Sequence, residues 1–145
     1  MDNHTILIIE VMLAIFACWQ FREKIKVVII DAIKQIQLRN YLAGNERRKL
    51  SQLQKNNNLL VDHSNDQLLQ DAYKCLSRAS ITREKEKIAI RIPTKNYPEL
   101  QDYIENKIDN YLVTWLENNS PGHHWNKATL QPRSLFGWSY SIKEK

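Results

Sequence analysis

The residues that could carry chemistry are few and widely spaced along this chain. His123 and His124 form the one histidine pair. Adjacent side chains project in different directions, and no nearby Cys, Asp or Glu supplies the further ligands that a zinc site needs. We therefore expect the pair to lie in a surface loop and to bind no metal.

A thiol nucleophile needs a base beside it, and Cys75 with His63 is the candidate pairing. Cys75 lies between Tyr73 and Leu76 in a helical pattern, which favours a buried, unreactive cysteine. Because Cys18 is the only other cysteine, neither a disulfide framework nor a four-cysteine zinc site can form within the chain.

Three acidic residues share one face of a predicted helix, namely Asp102, Glu105 and Asp109. Such a face is the usual solvated side of an amphipathic helix rather than an acid–base pair. The three glycines are too far apart to form a phosphate-binding loop. We predict that the chain is not an enzyme and has no catalytic residue, cofactor or metal.

The charge is distributed unevenly over the 145 residues, although the net charge is only +5. Residues 1–21 contain no Lys or Arg, whereas residues 22–55 contain nine basic and three acidic residues. This break, together with the polar stretch that ends near residue 58, divides the chain into 1–21, 22–58 and 59–145.

The first segment has the pattern of a membrane anchor. Residues 5–21 are almost entirely apolar and would form a helix of about 25 Å, near the shortest that crosses a hydrocarbon core. Trp19 and Phe21 lie where interfacial aromatic residues are found, and basic residues follow from Arg22. This predicts a single-pass membrane protein with its N-terminus outside and its C-terminal domain in the cytoplasm.

Glu10 is the charged residue inside this run, and it shares one helix face with Ala14, Ala17 and Cys18. A face of small residues permits close approach of another helix, so these four residues are a candidate interface with a partner or with another copy. Alternatively, Glu10 reaches water at the membrane boundary. A further alternative is that the helix is buried in a soluble homo-oligomer.

Residues 22–43 are predicted to form a basic amphipathic helix that ends at Gly44. Its apolar side could lie on anionic lipid, on the rest of the chain or on a second copy. The polar stretch 45–58 is predicted to be a helix end and linker.

The remaining residues predict a small α+β domain with the order helix–strand–helix–strand–strand. The helices are expected over 65–79 and 97–118. The first strand is expected over 87–92, ending at Pro93, and two further strands over 128–131 and 135–142.

Basic residues suggest an alternative partner, nucleic acid. The candidate basic patch comprises Arg47, Arg48, Lys49, Lys87, Arg91 and Lys95. Basic side chains beside aromatic residues such as Trp138 and Tyr140 can follow a phosphate backbone and stack on bases. However, aromatic residues at alternate strand positions are more often in the core.

These patterns predict a membrane-anchored adaptor whose α+β domain docks on a protein partner in a membrane assembly. The first alternative is a membrane-tethered nucleic-acid-binding module. The second is a soluble homo-oligomer with a buried apolar N-terminal helix.

Overall fold

Helix α1 (Asn3–Lys55) is the longest element of the chain. The computed structural model describes residues 3–55, 63–84, 87–134 and 137–145, and it describes side chains over 8–55, 66–83, 87–133 and 137–145. It divides the chain into two compact units, Met1–Lys34 and Gln35–Lys145. In the described part of the first unit, the chain is helical throughout.

Gly44 does not end the first helix, contrary to the prediction, because α1 continues to Lys55. A glycine inside a helix costs only about 1 kcal/mol, which buried neighbours can outweigh. Leu42 and Ala43 before it and Glu46 after it are all buried in the second unit. The stretch predicted as a linker is therefore helical over 45–55, and residues 56–62 lie outside the described residues.

The second unit has the predicted α+β fold and one additional strand. Its helices are α2 (His63–Leu76), α3 (Pro98–Lys107) and α4 (Val113–Asn119), and a π-helical turn, Ile108–Leu112, joins the last two. Its strands are β1 (Ser80–Glu84), β2 (Lys87–Thr94), β3 (Thr129–Ser134) and β4 (Gly137–Lys143). They form one antiparallel sheet in the order β1-β2-β4-β3.

Strand β1 was not expected, because Ile81 is its only large apolar residue. Pairing with β2 forms it, in the register Ile81 opposite Ile90. Gln35 of α1 also accepts a hydrogen bond from the Ile81 amide at 3.2 Å. Strand β2 continues past Pro93 to Thr94. A proline is tolerated there because β1 begins at Ser80, opposite Arg91, and therefore does not extend alongside Pro93.

The core lies on one face of the sheet. Ile90 pairs with Ile142 and Ile92 pairs with Tyr140, and all four side chains are buried with residues of α1, α2 and α3. The Tyr140 hydroxyl donates to the Gln101 carbonyl of α3 at 3.2 Å. The alternation of apolar residues in the two central strands therefore directs one side towards the helices.

The helix predicted over 97–118 is divided by the π-helical turn. The i to i+5 hydrogen bonds of such a turn place an extra residue in it and change the phase of the side chains on either side. Tyr111, which the sequence placed on the apolar stripe, lies within this turn and is 39% exposed, whereas Lys107, immediately before the turn, is buried.

Burial predicts which part of α1 stabilises the second unit. Leu42→Ala should lower the free energy of unfolding by about 2–5 kcal/mol, because it leaves a cavity in the core. Ile36→Ala, on the same helix but 57% exposed, should change it by less than about 0.5 kcal/mol. Urea denaturation followed by tryptophan fluorescence measures both, and equal losses would contradict the assignment.

Candidate interaction surface

The described helix of the first unit exposes large apolar side chains along its length. Phe16 and Trp19 are each 57% exposed, Phe21 is 65% exposed and Val28 is 67% exposed. The apolar residues expected to face lipid, the domain or a second copy are thus open to solvent within this chain.

The four residues predicted to form a helix interface all lie on α1. Glu10, Ala14 and Ala17 are exposed, and Cys18 is an exposed free cysteine. Next to them is a shallow hollow lined by Ala17, Cys18, Phe21, Arg22, Ile25 and Lys26. All four residues are therefore accessible, as are their neighbours around the helix, and their role as an interface stays a prediction.

The prediction that this helix crosses a membrane is wrong. Among the residues that the structure describes, no helix combines the length and the apolar character that a membrane crossing requires. Glu10 interrupts the apolar run, and the charged residues from Arg22 onwards end it. The predicted single-pass topology, with an outside N-terminus and a cytoplasmic domain, depended on that crossing and is wrong as well.

The basic patch is distributed over three parts of the fold. Arg47, Arg48 and Lys49 are exposed on α1, and the guanidinium of Arg48 donates to Asn45 at 2.9 Å and to the Gly44 carbonyl. Lys87 and Arg91 lie four residues apart on β2 and so share the side of the sheet opposite the core.

Lys95, the last member of the patch, lies between β2 and α3 and belongs to a polar cluster around Asp71 of α2. Its ammonium lies 2.7 Å from Asp71, whose side chain is 4% exposed, and the Tyr97 hydroxyl donates to the same carboxylate at 3.1 Å. Burial raises the pKa of Asp71, but hydrogen bonds from Lys95, Gln67 and Tyr97 outweigh it and hold that pKa below its ordinary value. Burial and the bond to Asp71 raise the pKa of Tyr97 to about 12.

A second buried cluster joins α1 to α3, and the sequence analysis did not identify it. The Glu46 carboxylate, fully buried, accepts from the Tyr103 hydroxyl and lies at 2.7 Å from the Lys107 ammonium. The same ammonium lies 4.3 Å from the centre of the Tyr111 ring. The pKa of Tyr103 is raised, mainly by burial and to a smaller extent by the hydrogen bond to Glu46. These bonds hold α1 and α3 together, and the Glu46 carboxylate and the Lys107 side chain are both buried.

The histidine pair lies in the loop after α4, as predicted. His123 Nδ1 contacts the carboxylate of Glu144, which also accepts from the Ile88 amide at 3.1 Å. His124 is exposed and, with Trp125 and Leu116, lines a cavity of about 330 Å³. The described residues contain no group of three or more His, Cys, Asp or Glu side chains that could hold a metal.

The remaining candidates are accounted for by burial or exposure. Cys75 is 6% exposed, and burial, with the Asp71 charge, raises the pKa of its thiol. The side chain of His63 lies outside the described residues. Asp102, Glu105 and Asp109 are exposed. Tyr140 is 4% exposed and therefore offers no surface for a stacking base.

Comparisons with other proteins identify no relative. No protein-family model matches the sequence, and neither the curated proteins nor the solved structures contain a match to the chain.

Because the ion pair between Glu46 and Lys107 is buried, removing one of the two partners should cause a large loss of unfolding free energy. Glu46→Ala should cost about 3–5 kcal/mol of unfolding free energy, because it leaves the Lys107 ammonium buried without its carboxylate. Replacing both residues, Glu46→Leu with Lys107→Met, should recover most of that loss. Urea denaturation measures each variant, with exposed Glu105→Ala as the control. No recovery in the double variant would contradict this explanation.

Asp71 predicts acid sensitivity. Its folded-state pKa lies below the ordinary value of 3.8, so its charge stabilises the fold above that pH, and this contribution is lost as the pH falls through the folded pKa. Between about pH 6 and pH 3, the free energy of unfolding should therefore fall less in Asp71→Asn than in the native chain. The control variant, Asp102→Asn at an exposed position, should lose as much unfolding free energy as the native chain. If Asp71→Asn also loses as much as the native chain, the prediction is refuted.

Proposed function

We propose that this protein is a non-enzymatic adaptor that docks on a protein partner through helix α1 and carries its α+β domain to that partner. The observation that supports the proposal is the series of exposed large apolar side chains from Ile8 to Ile33, all in the first unit. We define this series as the apolar surface of α1. Contiguous exposed apolar patches larger than a few hundred Å² are typical of interaction sites.

The distribution of the apolar side chains supports a docking role. Ile8 and Ile9 are 62% and 46% exposed, and Val11, Met12 and Leu13 are all more than half exposed. Consecutive helical residues point in different directions, so apolar side chains surround the helix. Helices of this kind are normally buried, and each large side chain buried on docking would contribute about 1.5–3 kcal/mol.

The charged clusters of the second unit support a non-enzymatic role. Asp71 is bound by Lys95 and Tyr97, and Glu46 is bound by Tyr103 and Lys107. Catalytic acids and bases have to reach a substrate, whereas these carboxylates are enclosed by their own partners. An adaptor acts instead by placement, because attachment to a partner raises the effective concentration of the attached domain.

The nucleic-acid alternative has less support. Lys87 and Arg91 share one side of β2, as a phosphate-binding surface would require. Lys95, however, is bound to Asp71, and Tyr140 is buried. The proposal therefore commits to a protein partner.

Photocrosslinking tests this proposal. Benzoylphenylalanine placed at Phe16 or Trp19 of the full chain in cells should give adducts that contain a second polypeptide, because both side chains lie on the apolar surface. The control position is Tyr111, an exposed aromatic residue of the second unit. The proposal fails if positions 16 and 19 give no more protein adducts than position 111, or adducts with lipid alone.

A further inference from the structure

We propose that the partner of α1 is a second copy of this chain, paired antiparallel to the first about a two-fold axis beside Ala17. This inference rests on the proposed function and names its partner. It follows from where opposite charges lie relative to the centre of the apolar surface.

One side of α1 carries residues at alternating spacings of four and three. They are Glu10, Ala14, Ala17, Phe21, Lys24 and Val28. Residues with this spacing lie in one strip along a helix, and such a strip is the usual contact line between two long helices. All six are exposed in this chain, so the strip is accessible over its whole length.

The charges on this strip are symmetric about Ala17. Glu10 is seven residues before Ala17 and Lys24 is seven residues after it. At 1.5 Å per residue, each charge is about 10 Å from Ala17, in opposite directions along the helix. An antiparallel pair centred on Ala17 therefore brings Glu10 of each helix beside Lys24 of the other. A parallel pair would place Glu10 beside Glu10 and Lys24 beside Lys24, and like charges at an interface are unfavourable.

The side-chain sizes fit the same axis. Ala14 lies about as far before the axis as Phe21 lies after it. In an antiparallel pair the large Phe21 ring of one helix therefore meets the small Ala14 of the other, at both ends of the contact. Ala17 at the axis is small and permits two helices to approach closely. Phe21, 65% exposed here, would be covered in the pair.

Disulfide trapping distinguishes the two orientations. Single-cysteine chains are made in the full chain with Cys18→Ser and Cys75→Ser, one carrying Ala14→Cys and the other Phe21→Cys. If the pairing is antiparallel, oxidising the mixture should give at least about tenfold more disulfide dimer than oxidising either chain alone. In that arrangement the cysteine at position 14 of one helix faces the cysteine at position 21 of the other, whereas identical cysteines are about 9 Å or more apart along the helix axis. Parallel pairing predicts the reverse. A mixture of Ala14→Cys with Tyr111→Cys, an exposed site on the second unit, is the background control.

Charge exchange provides an independent readout. Glu10→Lys and Lys24→Glu should each raise the dimer dissociation constant about tenfold, measured by analytical ultracentrifugation, since each creates two like-charge contacts per dimer. The double variant, Glu10→Lys with Lys24→Glu, should return to within about threefold of the native value. Glu117→Lys, an exposed acidic residue of α4, serves as the matched control and should leave the dissociation constant unchanged.

Three results would overturn the inference: a chain that is monomeric at every concentration, cysteine pairs that trap in the parallel pattern, or single charge reversals that the double variant does not rescue. A monomeric chain whose Phe16 and Trp19 positions still crosslink to a different protein would overturn the second-copy partner and leave the adaptor proposal standing. Absence of protein adducts at both positions would overturn the adaptor proposal, whereas the disulfide and charge-exchange results decide the second-copy partner, because Trp19 lies on the side of the helix opposite the strip.

Discussion

The buried carboxylate of Glu46 is the constraint on which the second unit depends. A charge removed from water has to be paired, and Glu46 finds its partners, Lys107 and Tyr103, more than fifty residues away on α3. Satisfying it requires α1 to remain helical beyond Gly44. The pairing also requires Lys107 to face inward, immediately before the π-helical turn. One electrostatic requirement thus connects the continuation of α1 past Gly44 with the inward orientation of Lys107 on α3.

Helix α1 changes character along its length. In the second unit its buried side chains, such as Leu38 and Leu42, contribute to the core, while Arg39 donates to the Ala79 carbonyl at 2.7 Å. In the first unit its large apolar side chains are exposed. An α+β domain of this size is close to the lower limit for a self-sufficient core, and residues of α1 complete it. The exposed apolar surface of α1 is the observation on which the proposed interaction role rests.

The polar clusters join side chains that lie far apart in the sequence, and local sequence patterns do not indicate them. The sequence analysis considered His123 only as half of a histidine pair and did not single out Asp71 or Glu46, yet each is bound by residues distant in sequence. Distance along the chain carries no information on such partners, because the ladder of strands and the packing of helices bring them together. The same fact explains why the six basic residues of the candidate patch did not converge on one surface. The expected absence of catalysis stays a prediction.

The sequence by itself determined the α+β class and the approximate positions of the helices and of three strands, because apolar periodicity is a local property that burial of one face enforces. It also located Glu10 and Cys18 on one accessible helix face. Only the tertiary structure decided that β1 forms, since a polar strand needs β2 as its neighbour, and that α1 continues through Gly44, since a buried Glu46 needs Lys107. Whether an apolar helix is covered, exposed or able to cross a membrane depends on what surrounds it and on the charges along its whole length. Apolar composition alone therefore predicted an anchor that the structure does not support.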